Sequence, residues 1–528
     1  MMSDRAPILI RAEETLRPLY LAASTAWWDS NTSASDENER RRVAAEVALS
    51  DALADPVLFR EVTAARENGA GGIARRELDL LRDGLVPNQV PEEIRHRIVE
   101  LEASVESRFV QHRATVGGRS ADDNEIRRIL RESDDVAERR EAWEGSKTVG
   151  AAVADDVREL ARLRNQAARG LGYRDWFALA LATTEMDEEL LFATLGECDT
   201  LTASPFARWK AEVDAELAQR FGCAAAELRP WHYEDVFFQE VPVTGGVDTS
   251  EAFAGTDVVE LARRTFDGIG LETGPILGRS DLFPRDGKSQ HAFCIDVDRE
   301  GDVRVLANVE HDAYWADTML HELGHGVFDL GFDRSLPWLL RDAHLTVTEG
   351  MAIMMGNLAQ EAAWLRDVRG LDADAAEALD AALRRRSAAE SLVFIRWVLV
   401  MTNFERALYA DPEADLSRIW WDLAARYQLL TPPERRQEPD WAAKIHVACA
   451  PVYYHTYLYG HLVANQVRAA LEREAGGLVG RPAAGAFLAE RVFRPGQSVR
   501  WDRLVEQATG EPLTAAHVAR TIEAGLGR

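Results

Sequence analysis

Residues 316–330 read ADTMLHELGHGVFDL, and the pentad His321-Glu322-Leu323-Gly324-His325 within them decides how the chain is interpreted. On a helix, positions four apart lie on one face, so both imidazoles can reach a single ion while Glu322 projects beside it. The flanking residues are apolar at helical spacing, which predicts that the histidines face a buried cleft, where an unliganded charge is costly. Two surface or core histidines on an ordinary helix are the bland alternative to a metal pair.

A third ligand has to come from another segment. One class of zinc helix carries a histidine ten residues after the first, but that position here is Gly331. Glu349 lies in LTVTEGMAIMMGNLA, a second apolar stretch beyond a connector that contains Pro337. A carboxylate in such surroundings needs a cation. Glu349 is therefore the expected third ligand, with His344 and Glu361 as competitors. Three protein ligands leave a zinc ion an open position for water, and Glu322 is then placed to act as the base. Asp317, four residues before His321, can accept the second N–H of a ligating histidine or remain a solvated carboxylate. Met351, Met354 and Met355 suit core packing.

The 528 residues carry a formal net charge of −27 and no Lys/Arg-rich block, so a nucleic-acid partner is not expected. Hydrophobic residues make up 46% and charged residues 28%, an ordinary globular composition. No apolar run is long enough to span a bilayer, and the first residues hold no stretch of secretory-signal length. The expectation is a cytoplasmic protein without a membrane partner. Cys198, Cys223, Cys294 and Cys449 show no metal or disulfide spacing and are expected to be reduced. Nothing in the sequence sets an oligomeric state.

Helical periodicity dominates the chain, as in AAEVALSDALADPVLFREVTAAREN and AAAVADDVRELARLRNQAARGLG. Irregular stretches are expected near residues 229–246, 274–290 and 431–439. HAFCIDVD, REGD and VRVLANV alternate around a turn, which predicts a hairpin at roughly residues 291–309. The reading is a mainly α, two-lobed protein with a small hairpin next to the histidine helix. It forms one unit over residues 1–528, with a lid-like helical part at 1–150 and a helical lobe with irregular loops at 151–290. The hairpin and metal-binding helices fall at 291–360, and a C-terminal helical lobe with a substrate-binding segment falls at 361–528.

At these residues the sequence resembles the angiotensin-converting-enzyme family of zinc peptidases, including its bacterial relatives. The family's zinc glutamate falls twenty-eight residues after the first histidine, as Glu349 does, and its substrate-binding His-Ala pair stands thirty residues before, as His291-Ala292 does. RYQLLTPPERRQEPDWAAKIHVACAPVYYHTYLYG looks like the family's Lys-x-His segment followed by Tyr-x-x-Tyr, with one residue inserted. That matches Lys444, His446, Tyr454 and Tyr457. STAWWDSNTSASDENERRR and ARLRNQAARGLGYRDW look like its N-terminal helices.

The resemblance implies a gluzincin-type zincin with a deep central channel, one zinc ion on His321, His325 and Glu349, and release of C-terminal dipeptides from short peptides. It implies that His291 and His446 hydrogen-bond substrate carbonyls, and that Ala292 pairs with substrate backbone. Lys444 would meet the terminal carboxylate, and Tyr457, with Tyr454 beside it, would stabilise the oxyanion. Tyr233 stands where the family has a glutamine for the carboxylate, Ile353 replaces an aspartate, and Thr456 and Ala424 replace chloride-binding arginines. The expected function is zinc-dependent peptide hydrolysis. The alternative is a repurposed member acting on an amide or other small specialised metabolite of a biosynthetic pathway.

Overall fold

The computed structural model describes residues 5–69, 71–242 and 250–527; the last residues of the irregular stretch 229–246 lie outside these. The fold is mainly α-helical, with two small antiparallel hairpins among long helices. Among the described residues, no helix is long and apolar enough to cross a membrane. The chain divides into two compact units, each drawn from three segments.

The first unit comprises Met1–Gln89, Val247–Leu383 and Tyr459–Val518. Its opening helices, Pro7–Thr32, Pro56–Glu67 and Gly72–Leu85, bury apolar residues at helical spacing, as Leu78, Leu81 and Leu85 illustrate. With Leu9, Leu16, Leu58 and Val62 these form one core cluster that Trp338 closes. The expected hairpin is present, with Phe293–Asp296 paired to Val303–Leu306 in the register Phe293↔Leu306. Trp27 packs on Phe293 with ring centroids 4.1 Å apart, which ties the first helix to the hairpin.

The histidine helix spans Ala313–Leu330; Asp312 caps it by accepting the Trp315 N–H. The glutamate helix spans Leu345–Gly356, and His344 caps it through Nδ1 and the Thr346 N–H. The two helices cross in close contact. A Cβ at Gly324 would lie 3.0 Å from the Ala352 Cα, a tight approach that a larger residue would meet only if the helices shifted by a few tenths of an ångström. A third helix, Tyr454–Ala475, approaches equally closely: a Cβ at Gly350 would lie 2.8 Å from the Val463 Cβ and 3.0 Å from the Gly460 carbonyl.

The second unit comprises Val90–Gly246, Arg384–Leu458 and Ala519–Arg528. Helix Val136–Gly170 supplies much of its interior, and helices Glu188–Phe221 and Leu416–Tyr427 belong to the same unit. A hairpin that the sequence reading did not anticipate pairs Ala114–Val116 with Arg119–Ala121. Its turn, Gly117-Gly118, has φ of 57° and 72°, which suits the tight connection of right-twisted strands. The irregular run after Arg229 is held by buried side chains. Arg139 donates to the Trp231 and His232 carbonyls, Trp143 and Lys147 to Val236, and Gln428 to Phe237 and Phe238. These bonds satisfy backbone groups that no helix or strand pairs.

The crossing at Gly350 generates a test. In an open helix Gly→Ala stabilises by about 1 kcal/mol. Here the added methyl overpacks against Val463, and Gly350→Ala should instead destabilise by about 1–3 kcal/mol. A lowered Tm is expected; an unchanged or raised Tm would show that the helices part at no cost.

Candidate metal centre

Among the described residues, one group of histidine, cysteine and acidic side chains can hold a metal: His321, His325 and Glu349, whose ligand atoms all lie within 4.8 Å of one another. The His321 Nε2 is 3.9 Å from Glu349 Oε1, and the His325 Nε2 is 3.7 Å from Oε2. The helical spacing sets the imidazoles at 5.0 Å between centroids and nearly perpendicular, at 79°. His325 Nδ1 meets the Thr348 hydroxyl at 2.7 Å, so a donating Nδ1–H leaves the Nε2 lone pair toward Glu349.

Electrostatics point the same way. Burial pushes the His321 pKa down to about 4 and that of His325 to about 3, the latter also through its neighbour His321. Both rings are therefore neutral near pH 7, with a lone pair available for a metal. Burial raises the Glu349 pKa as well, as expected for a carboxylate drawn into a low-dielectric site without a cation. Two neutral imidazoles and one carboxylate are the donor set of a three-ligand zinc site, and the residues present fit that ion. The rival ligands are engaged elsewhere: His344 caps its helix and stacks on Trp501, and Glu361 pairs with Arg468 at 2.8 Å. Asp317 lies against the last turn of the glutamate helix, next to Gly356.

Glu322 is buried beside this group. Burial first, and then the Glu349 charge, push its pKa up to about 8, while the Cys294 backbone pulls it down. Cys294 belongs to the hairpin strand, so the strand and the histidine helix meet at this carboxylate. Ala292 immediately precedes that strand, and His291 is exposed at the bend before it. His461, which the sequence reading did not single out, also responds to His321: burial, with His321 second, holds its pKa down to about 4.

The remaining sequence-predicted residues belong to the second unit. Lys444 is buried; its ammonium donates to Gln239 Oε1 at 2.8 Å and lies over the rings of Trp397, Phe237 and Tyr454 at 5.3, 5.5 and 5.5 Å. Burial lowers its pKa to about 8, against the pull of Asp235 and Glu240. His446 packs on Tyr454 at 5.0 Å between ring centroids, and its buried Nδ1 has no hydrogen-bond partner among the described residues. Burial, helped by Lys444, pushes its pKa down to about 4. Tyr457 is half-buried against Tyr453, Tyr454 and Phe394.

The Tyr233 hydroxyl is taken up by a different pair of side chains. It donates to Asp214 at 2.8 Å and accepts from Lys210 at 2.7 Å. The glutamine at Lys444 is Gln239, six residues later in the same segment. Ala424 lines a narrow aromatic cavity with Trp143, Phe237, Trp420 and Trp421, and the cation there is Lys147, not an arginine. Lys147 sits 3.2 Å from the Phe237 ring centroid, and burial lowers its pKa to about 7.

Comparison with known proteins agrees with this centre. The model of peptidase family M3 matches residues 270–524, and that of angiotensin-converting enzyme matches residues 4–194. Angiotensin-converting enzyme of Mesocricetus auratus is 23% identical over 92% of this chain and 40% of its own length. That of Rattus norvegicus is 24% identical over 74% of this chain and 32% of its own. The angiotensin-converting enzyme-related protein of Drosophila melanogaster is 25% identical over 48% of this chain and 43% of its own. The chain thus spans less than half the length of these curated relatives. The two family matches and the histidine–histidine–glutamate cluster together support a gluzincin-type zinc-metallopeptidase superfamily, M2/M3-like.

Proposed function

We propose that the protein hydrolyses peptide bonds in short peptides, with one zinc ion held by His321, His325 and Glu349. The observation that carries this reading is a buried carboxylate, Glu322, beside three converging metal donors, His321, His325 and Glu349. Bound there, zinc supplies Lewis acidity for an attacking water and for the scissile carbonyl. Glu322 takes the proton of that water and returns it to the leaving amine. In its ionised form the buried Glu322 carboxylate is the proton acceptor next to the metal donors. Tyr457 donates its hydroxyl to the oxyanion as charge develops, with Tyr454 packed beside it. His446, whose Nδ1 has no hydrogen-bond partner among the described residues, and His291 hydrogen-bond substrate carbonyls. Ala292 extends the Phe293–Asp296 strand by pairing with substrate backbone.

Lys444 and Gln239 receive the free carboxylate of the peptide, in place of the Tyr233 expected from sequence. A buried ammonium opposed by a neutral amide and three aromatic rings gains most from an anionic ligand. This arrangement favours release of C-terminal dipeptides. A mixed oligopeptide library followed by mass spectrometry tests the reading. A ladder of two-residue C-terminal losses supports it, whereas a zinc-loaded protein silent on every peptide points to a specialised amide substrate.

One zinc per chain is expected by elemental analysis, with loss of the metal in His321→Ala and Glu349→Ala. Full occupancy in Glu349→Ala would remove that residue from the ligand set. Glu322→Gln should keep the metal and lose several orders of magnitude in kcat. Tyr457→Phe should lower kcat by about 10²–10³ with KM little changed; a raised KM with normal kcat would make the hydroxyl a ground-state contact.

C-terminal amidation should weaken binding, and Lys444→Met should erase most of the difference between free and amidated peptides. The sign with pH follows from Lys444, whose pKa burial has lowered to about 8. The charged form binds the carboxylate, so affinity is held below that value and falls as pH rises through it. Equal cleavage of amidated and free peptides by the parent protein would count against a carboxylate pocket.

A further inference from the structure

The turn joining the Lys444–His446 stretch to the two tyrosines is held from beneath by a carboxylate that the mechanism above leaves unused. Helix Ile445–Cys449 ends, and Val452 takes a φ of +58° before Tyr454 opens the next helix. A β-branched residue in the left-handed region is a true outlier and persists only where its surroundings over-determine it. Here the determining group is Glu405 on helix Ala373–Ala410. It is 2% exposed, and its carboxylate accepts the Val452 backbone N–H at 2.6 Å. Val452 is itself buried, at 6% exposed, so both its amide and its side chain are held.

The other side of the turn is also fastened. Arg164, on helix Val136–Gly170, donates to the Ala448 carbonyl and, at 3.1 Å, to the Tyr409 hydroxyl. Tyr409 lies one turn beyond Glu405 on the same helix. Burial pushes the Glu405 pKa up to about 8, and the Arg164 charge opposes that shift. Val452 stands two residues before Tyr454 and five before Tyr457, so its φ sets where the tyrosine helix begins. Tyr454 in turn packs on His446 with ring centroids 5.0 Å apart.

We propose that Glu405 is a positioning residue: its hydrogen bond to the Val452 N–H locks the left-handed turn and so aligns His446 and Tyr457 for one substrate. The inference rests on the reading above that those two side chains act on a peptide. Release of the bond lets Val452 relax to negative φ, which redirects the chain at the start of the tyrosine helix. Zinc content is measured in every variant, because the tyrosine helix also packs on the glutamate helix at Gly350.

The test compares Glu405→Gln, which keeps an acceptor oxygen, with Glu405→Leu, which has none, and Glu405→Asp, which draws the acceptor back by one methylene. All are assayed as full chains with zinc content verified, well below the Tm of each. The expected result is a kcat lowered by roughly 10–100-fold in the Leu and Asp variants, with little change in KM, and near-parental kcat in the Gln variant. If Glu405→Leu does not fold, Glu405→Asp decides alone. Parental kcat in Leu or Asp overturns the proposal, as does a Gln variant no better than Leu. Should the parent cleave no peptide at all, the peptidase reading fails separately, and amide exchange over residues 450–457 decides instead. Faster exchange in Asp or Leu than in Gln supports the lock; equal exchange in all variants overturns it.

Discussion

Three half-buried metal donors on two helices that must touch are the constraint around which the first unit is arranged. Burial holds His321 and His325 neutral and raises Glu349 and Glu322, so each donor sits in a state that a nearby dication would stabilise. Convergence depends on the crossing at Gly324, where the histidine helix comes close to Ala352 with little room for a side chain. It depends equally on Gly350, which lets the third helix press the glutamate helix into place. Thr348 couples the two requirements, because it holds the His325 ring from the helix that also carries Glu349. A small separation of these helices would therefore misplace two ligands at once.

The parts of this arrangement governed by local periodicity were legible in the sequence. Four-residue spacing put both histidines on one helix face, and an isolated carboxylate among methionines marked Glu349. Alternation gave the hairpin near the histidine helix, although its strands are shorter than the alternating run suggested. The second hairpin escaped notice because three-residue strands offer too few positions for alternation to register. Its only signal was the Gly117-Gly118 pair.

Contacts distant in sequence were not legible. Lys444 meets Gln239 across 205 residues, and both lie on irregular backbone where no period predicts which side chain points inward. Tyr233 looked suitable from its segment alone; its hydroxyl is instead absorbed by Lys210 and Asp214. The position of Lys147 beside Ala424 likewise follows from tertiary packing.

The two sets of functional groups are fixed by different physical means. The metal donors sit on regular helices, where precision comes from close packing and the backbone is unstrained. In the second unit, the groups proposed to hold the peptide sit on or beside two irregular segments, each of which contains a bulky residue at positive φ: Phe238 at 51° next to Gln239, and Val452 at 58° before Tyr454. Such conformations cost energy and survive only under multiple restraints. Both are restrained by buried polar side chains aimed at backbone groups: Gln428 at the Phe238 carbonyl and Glu405 at the Val452 N–H. A hydrogen-bond donor that must meet a developing charge needs a fixed position before the reaction, because reorganising at that moment would forfeit its electrostatic advantage. Irregular backbone can aim side chains in directions that a helix forbids. The buried glutamine and glutamate are the restraint that such freedom requires.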